Sequence, residues 1–480
     1  MKRKKIKIFF ALLFVTLFFI NACTLRDENS VEDQNNFGYH TSSVANILNG
    51  TCAASGCHAS KSNQNGLSTE RYSEFLKGGN MRPYEKGGYY GGEAIIPYNS
   101  EKSLMIQLVK GEVISKTKYN HKILTEGQIS TLETWIKNGA KDYFGKPAFS
   151  QPESYRVYVC NNGSNNVSVI DGTKKVVSYL FNIYGDNPDQ DNSPNWIAEY
   201  GSYYYVTLGN AGKILKVRKS DNTIAGELSL TKPGMIVINS LGSKAYIARA
   251  YDSLSVYNSI FVVNINNMSL QKKITFPDYG LLHGLAIDNN RKFLYVTDAT
   301  NNRVYIINTQ TDLISDSRFT LNNNYIPLFL KTSPEGNYLY ATAFNTNELL
   351  VFNAGSRFLI AKVPLLSRPM DLAISPNGNK IYIASSEGNA IEVVTKTGEY
   401  WDKTKTITHP TISNPFGIDI TANGSFLYVT NLNYSGSFIP TYRIKGERKT
   451  STVTIIGTAN ENVEKVIETE ESSLGIVVEK

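Results

Sequence analysis

The sequence predicts a mainly β protein, a seven-bladed β-propeller preceded by a small all-α domain. The main observation is a repeat in which an aromatic-aliphatic strand centre recurs at intervals of 41 to 49 residues. A period of about 45 residues made only of short strands is typical of propellers with four strands per blade. The strand centres are Tyr158, Tyr205, Tyr246, Tyr295, Tyr340, Tyr382 and Tyr428.

The two ends of the repeat region complement each other. The first unit lacks its leading strand, because the short linker 147–154 runs straight into Tyr155–Cys160. Leu474–Glu479 is a leading strand with no unit after it. We expect these parts to pair in one blade, since closure of the ring leaves no open sheet edge. The predicted propeller therefore spans residues 155–480.

Residues 40–146 have helical periodicity instead. The spacing Thr125–Gln128 is that of a capping box, and Gly139 follows the helix as a stop signal. The residues between them place four apolar side chains on one helical face: Ile129, Leu132, Trp135 and Ile136. We therefore expect a compact helical unit.

Cys52, Cys57 and His58 are the chemically distinctive residues of this unit. A c-type haem site needs two thiols for the two vinyl groups of one porphyrin, and an imidazole beside them for the iron. The usual spacing has two residues between the thiols, whereas this motif has four. A disulfide between Cys52 and Cys57 suits an exported protein but leaves His58 without a role. Zinc needs further ligands, and only His40 lies nearby in the sequence.

The motifs that follow His58 resemble those of small cytochrome c domains found beside propellers or in multidomain exported proteins. The resemblance rests on residues 96–105, on Leu124–Glu126 and on Trp135–Ala140, in family order. It implies one covalent haem c held by Cys52 and Cys57, with His58 as an axial iron ligand.

The sixth iron ligand is where this chain departs from that family. A Met-Pro pair is expected just before the last helix, and Thr117-Lys118 stands there instead. His121 is the first candidate to replace it, Met81 and Met105 are weaker ones, and an open or water-bound iron is the remaining alternative. A thioether raises the potential, and an open position allows ligand chemistry.

Residues 1–22 have the pattern of a secretory signal: a basic start and then an apolar run, Ile8–Ile20. The sequence around Cys23 resembles a bacterial lipobox, which implies cleavage before Cys23 and its lipidation. The alternative is an uncleaved anchor, although a run of 13 residues falls short of the roughly 20 that span a bilayer. Residues 23–39 then form a polar tether. This predicts a lipoprotein of the bacterial cell envelope, at the periplasmic face or outer surface of the outer membrane.

The charge balance argues against nucleic acid as a partner. The chain has 49 Lys and Arg against 42 Asp and Glu. Removal of the signal takes away five basic residues, which leaves 44 against 42. A nearly neutral protein has no electrostatic footprint for nucleic acid. The expected partners are the membrane, through the lipid anchor, and a redox protein that the sequence does not identify.

The repeat, with Asn161–Asp171 and Tyr428–Asn431, resembles YVTN-type propellers, which implies a fold but almost no function. Alignment of the repeats places seven residues at the mouth of the central channel: Asn195, Gly234, His283, Leu328, Met370, Phe416 and Leu474. His283 is either a ligand of a second haem or a hydrogen-bonded mouth residue. Arg368 faces either the mouth or solvent. A histidine-rich copper cluster is excluded, because the propeller has only His283 and His409.

Two further features complete the prediction. Cys160 replaces a threonine of the repeat and is expected to be a buried, inert thiol. Leu432–Thr450 is a basic, aromatic insertion on the mouth side of the last blade, which either docks the N-terminal domain or a partner, or is a mobile surface loop.

Three functions remain in competition. The first is a c-type haem electron-transfer lipoprotein whose propeller is a docking or ligand-binding platform. The second is an oxidoreductase with a substrate or second cofactor at the propeller mouth. The third is a surface recognition protein with a degenerate, haem-free cytochrome domain. The nearly apolar mouth favours the first over the second, and the missing Met-Pro pair leaves the third open. The sequence thus favours an electron-transfer protein over a stand-alone enzyme.

Overall fold

The computed structural model describes residues 35–54, 57–62, 66–79, 94–115, 124–150, 154–183, 191–239, 241, 243–250, 257–321, 325–438, 442–444 and 450–480. The statements below concern these residues. In this part of the chain no helix is both long enough and apolar enough to cross a bilayer.

The N-terminal unit is mainly helical. Its described part contains a 3-10 turn at Asn36–Gly38, a π-helical turn at Leu48–Cys52, and the helices α1 Ser42–Ile47, α2 Tyr72–Phe75, α3 Leu104–Val109 and α4 Glu126–Lys137. The predicted capping box is present, since the Thr125 hydroxyl accepts from the Gln128 backbone and the Gln128 side chain accepts from Thr125. A short strand, β1 Val113–Ser115, was not part of the all-α prediction.

The core of this unit lies where α1 packs against α4. Leu132, Trp135 and Ile136 of α4 are buried, as the apolar periodicity predicts. The Trp135 ring lies 5.9 Å from Tyr39 and 6.3 Å from Phe75. Such aromatic contacts contribute about 0.5–1.5 kcal/mol beyond area burial. The core therefore holds the segments on both sides of the thiol motif.

The propeller consists of seven antiparallel sheets of four strands each. Blades 1 to 3 contain β2 Arg156–Asn161, β3 Asn166–Asp171, β4 Val176–Asn182, β5 Pro194–Tyr200, β6 Tyr203–Leu208, β7 Lys213–Arg218, β8 Ile224–Ser229, β9 Pro233–Asn239, β10 Lys244–Arg249, β11 Tyr257–Asn264 and β12 Ser269–Gly280.

Blades 4 to 7 follow in the same order, from the innermost strand to the outermost. They contain β13 Leu282–Ile287, β14 Phe293–Asp298, β15 Arg303–Asn308, β16 Leu313–Thr320, β17 Pro327–Thr332, β18 Tyr338–Ala343, β19 Glu348–Asn353, β20 Leu359–Pro364, β21 Pro369–Ile374, β22 Lys380–Ser385, β23 Ala390–Thr397, β24 Tyr400–Thr408, β25 Pro415–Ile420, β26 Phe426–Asn431, β28 Ser451–Gly457 and β29 Asn462–Thr469. Two strands remain, β27 Tyr442–Ile444 and β30 Ser473–Val478.

The ring closes in blade 1, where β30 is the innermost strand and pairs with β2. Val157 lies opposite Val478 and Val159 opposite Ile476 in this antiparallel pair. Each innermost strand contacts the innermost strands of both neighbouring blades. The seven tyrosines of the repeat are all buried on the second strand of their blades, which confirms the seven-bladed prediction.

Threonines two residues after the tyrosines connect adjacent blades. Thr297 Oγ1 accepts from Gly284 N at 2.7 Å within its own blade and donates to Leu328 O of the next blade at 3.0 Å. Thr430 donates in the same way to Leu474 O at 2.8 Å. Cys160 occupies the equivalent position in blade 1, fully buried, and burial raises the pKa of its thiol far above the usual range.

Asparagines make a second set of ties between blades. Their side-chain oxygens accept backbone N–H groups just before the innermost strand of the following blade. The pairs are Asn165 with Ser193 at 3.2 Å, Asn302 with Ile326 at 3.0 Å, Asn347 with Arg368 at 2.9 Å and Asn389 with Asn414 at 2.8 Å. All four asparagines have positive φ, a conformation that asparagine tolerates better than most residues.

Glycine allows neighbouring innermost strands to approach closely. A Cβ atom on Gly284 would lie 2.4 Å from Leu328 O, and one on Gly417 would lie 2.5 Å from Leu474 O. Real Cβ atoms do not come this near to a backbone oxygen. These contacts explain why the strands next to the channel have glycine where a β-branched residue would otherwise be favoured.

The substitution Gly284→Ala should therefore destabilise the propeller by about 1–3 kcal/mol through overpacking. The matched control is Gly355→Ala in an exposed turn, where the nearest neighbour is Asn353 Oδ1 at 3.5 Å, an ordinary contact. Urea unfolding followed by circular dichroism measures both. Equal unfolding midpoints for the two variants would show that the close approach is not a constraint.

Candidate functional site

Cys52 and Cys57 lie on a compact turn that follows α1. The π-helical turn Leu48–Cys52 extends the helix to the first thiol. Cys57 N donates to Ala54 O at 2.9 Å, and His58 N donates to Cys52 O at 3.1 Å. Cys52 is half-buried and packs on the helical core, whereas Cys57 is exposed. The turn thus anchors one thiol against the core and presents the other to solvent, with residues 55–56 outside the described part.

The His58 imidazole is oriented by a backbone carbonyl. Its Nδ1 lies 3.3 Å from Leu67 O. A carbonyl oxygen can only accept a hydrogen bond, so this contact requires the proton on Nδ1, and in the neutral ring the lone pair is then on Nε2. Metal-ligating histidines are commonly oriented in this way.

The backbone around His58 is tied to the domain core as well. Thr69 N donates to His58 O at 2.8 Å, and Thr69 Oγ1 donates to Leu48 O at 3.0 Å. The buried Tyr39 hydroxyl donates to Thr69 O at 2.8 Å. The histidine position is therefore fixed from both sides, by the turn that carries the thiols and by the segment that leads to α2.

The other residues that the sequence predicts for this site do not lie together in the described structure. Cys23, Met81 and His121 lie outside the described residues. Met105 is half-buried on α3 and packs against the helical core. His40 Nδ1 contacts Asp142 O at 3.2 Å. Within the described residues no three His, Cys, Asp or Glu side chains lie close enough together for a metal ion, so the zinc alternative gains no support there.

The seven residues assigned to the channel mouth are each the second residue of an innermost strand. The channel beside them is filled by aromatic rings. Trp196 of blade 2 stacks on Phe329 of blade 5 with ring centroids 5.6 Å apart, and Phe416 of blade 7 lies 5.8 Å from Phe329. Blades 2 and 5 are not neighbours, so these rings meet across the channel. Sequence reasoning assigned Phe416 to the mouth but missed Trp196 and Phe329.

Trp196 and Phe329 were missed because they occupy the third position of their strands. Strict alternation of side chains predicts that successive residues face opposite ways. The pairing register shifts between Pro194 and Trp196 and between Pro327 and Leu330, as in a β-bulge, which re-aims side chains. The sequence does contain one signal for them, since each is a bulky aromatic residue that directly follows a predicted mouth residue.

His283 lies beside this aromatic plug. Its ring centroid is 4.7 Å from that of Phe329 in an edge-on arrangement. The ring keeps some exposed surface, but its Nδ1 is enclosed and makes no hydrogen bond with the described residues. Burial lowers the pKa of His283 to about 4. The imidazole is therefore neutral at physiological pH and contributes no positive charge to the mouth of the channel.

Asp371 is a second ionisable group near the channel that the sequence did not single out. It is 2 % exposed and follows the mouth residue Met370. Its carboxylate accepts from Leu372 N at 2.9 Å and from Ile418 N of the next blade at 3.4 Å. Burial raises its pKa, partly opposed by Lys331 and these hydrogen bonds. Asp371 thus contributes a contact between blades 6 and 7.

Arg368 lies on the mouth side, at the connection that leads into β21. Its side chain is about half exposed and forms an ion pair with Glu387 at 2.9 Å. The guanidinium also lies 5.2 Å from the centre of the Phe344 ring. Arg368 therefore lies at the rim of the mouth, partly exposed to solvent, and its charge is paired with that of Glu387.

No protein-family model and no curated protein matches this chain. Solved structures do resemble it. Kuenenia stuttgartiensis hydrazine synthase has a TM-score of 0.53 at 17 % identity over 64 % of this chain and 94 % of that one. A Lactobacillus plantarum protein has a TM-score of 0.54 at 14 % identity over 68 % of this chain and 100 % of that one.

A putative 6-phosphogluconolactonase from Bacteroides uniformis has a TM-score of 0.52 at 14 % identity, over 68 % of this chain and all of its own. These similar structures carry different names at low identity. They establish the propeller fold and leave the activity open, because propellers host unrelated functions.

The lowered pKa of His283 makes stability depend on pH. A histidine whose pKa falls from 6.5 to about 4 is neutral in the folded protein, while the unfolded chain takes up a proton below pH 6.5. Folding stability should therefore fall as the pH drops from 6.5 towards 4, by about 2–3 kcal/mol at pH 4.5. His283→Phe keeps the ring shape and should remove this component. Urea unfolding of both proteins at pH 7 and 4.5 measures the difference.

Burial also lowers the pKa of His409, and the carboxylates titrate in the same range, but both contributions are common to the wild type and the variant. Only the difference between the two pH profiles reports on His283. Parallel profiles would contradict the assignment of a depressed pKa to this residue.

Proposed function

We propose that this chain is a c-type haem electron-transfer lipoprotein of the bacterial cell envelope, with its propeller as a docking or ligand-binding platform. The observation that carries the proposal is the contact between His58 Nδ1 and Leu67 O. It sets the tautomer that an axial iron ligand needs, in the residue that directly follows the second thiol. A disulfide between Cys52 and Cys57 gives no reason for a histidine fixed in this way.

Each residue of the motif has a defined task in this proposal. Cys52 and Cys57 hold the porphyrin through thioether bonds to its vinyl groups, and His58 ligates the iron through Nε2. The haem supplies one-electron redox chemistry at its iron when it is bound. The half-buried Cys52 and the core contacts of Thr69 fix the attachment turn, so the protein keeps the imidazole oriented without rearrangement.

The proposed location rests on the N-terminal sequence. The basic start, the apolar run and Cys23 stand in the order of a lipoprotein signal. Lipidation of Cys23 anchors the protein to a membrane, and the tether that follows keeps the folded part at a distance. Export also suits the chemistry, because thiols destined for an oxidising compartment must be protected or covalently modified.

The mouth of the propeller favours a platform over an active site. Trp196, Phe329 and Phe416 fill the channel, and the neutral His283 is the one ionisable member of the seven mouth residues. Proton transfer at a catalytic centre requires a group whose pKa lies near the working pH. The His283 pKa of about 4 is far from that range. This argument supports the electron-transfer proposal over an oxidoreductase with its substrate at the mouth.

Haem content tests the proposal directly. The mature protein, produced together with a haem-maturation system, should contain one covalent haem c in a pyridine haemochrome assay. Cys52→Ala and Cys57→Ala each leave one thioether bond, so only the double variant should lose all haem on acidic acetone extraction. Cys160→Ala is the matched control and should keep the full content. A folded wild-type protein without covalent haem would support the haem-free recognition protein instead.

The sixth ligand can be assigned by two substitutions read spectroscopically. His121→Ala should convert the low-spin haem spectrum to a high-spin one and create binding of carbon monoxide to the reduced protein. Met105→Leu, which conserves volume in the half-buried position on α3, should leave the spectrum unchanged. A low-spin spectrum in His121→Ala that is lost in Met105→Leu would move the assignment to the thioether. A high-spin wild-type spectrum would indicate an open or water-bound iron.

A further inference from the structure

Blade 1 is the seam of the propeller, because its strands come from both ends of the repeat region. The connection 470–472 leads from β29 into the closing strand β30. It is tied to the loop between β2 and β3: Asn162 N donates to Ser472 O at 2.9 Å, and Gly163 N donates to Glu471 O at 3.0 Å. The Ser473 hydroxyl also donates to Asn161 Oδ1 at 2.7 Å. Separation of β30 from β2 would have to displace this connection.

The N-terminal domain contacts the same seam through one segment, residues 96–102. Lys102 Nζ forms an ion pair with Glu470 at 3.1 Å. Glu470 is the first residue of connection 470–472, which leads into the closing strand. The Tyr98 ring lies 5.9 Å from Tyr179 on the outermost strand of blade 1. Ile96 is 6 % exposed and belongs to the apolar cluster that contains Val157. A charge contact, an aromatic contact and a buried aliphatic side chain thus converge on blade 1 and its connection.

The insertion of the last blade also contacts the N-terminal domain. We call its described residues, 432–438 and 442–444, the arm. Its base is well bonded: Asn433 N donates to Ser413 O at 2.9 Å, and Asn433 Nδ2 donates to Phe438 O at 2.8 Å. Farther along the arm, β27 pairs antiparallel with β1 of the N-terminal domain, with Val113 opposite Ile444. This pairing of residues 442–444 favours the docking alternative for the insertion.

We propose that the N-terminal domain and the arm form a clasp over the ring closure. Together they contact blade 7, blade 1 and the connection between these blades. β30 and β2 come from opposite ends of the repeat region, so no hairpin turn holds these two strands together, and a strand without such a connection separates from its partner more readily. The clasp opposes that opening, because β30 separates from β2 only if connection 470–472 moves and the Lys102 contact breaks. The clasp is a property of the polypeptide and does not depend on haem.

Hydrogen exchange measured by mass spectrometry on the full chain tests the clasp. In Lys102→Met, amide exchange in β30 should become several-fold faster, while exchange in β17 on the far side of the ring stays unchanged. Lys213→Met is the matched control, because Lys213 and Glu227 form an ion pair of the same length, 3.1 Å, away from the seam. It should change neither strand.

The arm is tested separately by the double variant Arg443→Pro/Ile444→Pro. Adjacent residues of an antiparallel strand point their N–H groups alternately towards and away from the partner, so the two prolines remove one ladder donor whatever the register. Exchange in β30 should rise by about tenfold. Arg443→Ala/Ile444→Ala keeps both N–H groups and should give a smaller change.

Two results would overturn the proposal: unchanged exchange in β30 in both the Lys102 and the proline variants, or an equal increase in β30 and β17, which is the signature of general destabilisation. Haem content is measured on the same preparations. Loss of haem with a normal clasp, or loss of the clasp with normal haem, separates this proposal from the proposed function.

Discussion

The antiparallel pairing of β30 with β2 is the contact on which the ring depends. Without it, β25 and β5 would each lose a neighbour at the channel, and blade 1 would expose a strand edge, a site where proteins aggregate. The remaining ties between blades are local. Each of these threonine and asparagine side chains connects a blade only to the next one, so they stabilise a ring that is already closed and cannot replace the closing pair.

Closure of the ring also determines which side chains at the mouth can carry a charge. Seven strands converge at the channel, so side chains there lose water from several directions at once. Burial disfavours the charged form of any group in this position, which explains the opposite pKa shifts of His283 and Asp371. Aromatic rings fill the space without that cost. The charged Arg368 lies at the rim, where it can keep both its partner Glu387 and contact with water.

Much of this architecture is legible in the sequence because it repeats. A tyrosine at the centre of each second strand gives the period, and alignment on it locates residues such as His283 and Phe416. Trp196 and Phe329 escape such reasoning because a bulge, not the alternation of a regular strand, sets their direction. The β1–β27 pair escapes it for another reason: three residues of backbone pairing between positions 113–115 and 442–444 leave no local pattern. The residue types of the thiol motif suggest haem attachment. The contact between His58 and the Leu67 carbonyl, however, can be seen only in the folded structure.

The contacts of the clasp restrict the position of the N-terminal domain relative to the propeller. The N-terminal domain is held to the propeller by segment 96–102 and by the arm, so a group attached at Cys52 and Cys57 would keep a fixed orientation relative to the mouth. Tyr39, the last residue of the predicted tether 23–39, is buried in the core of this domain, so the folded domain begins earlier in the chain than the sequence predicts. If a haem is held at Cys52 and Cys57, the haem and the propeller would present a single surface to a partner. Recognition by the propeller would then also orient the haem.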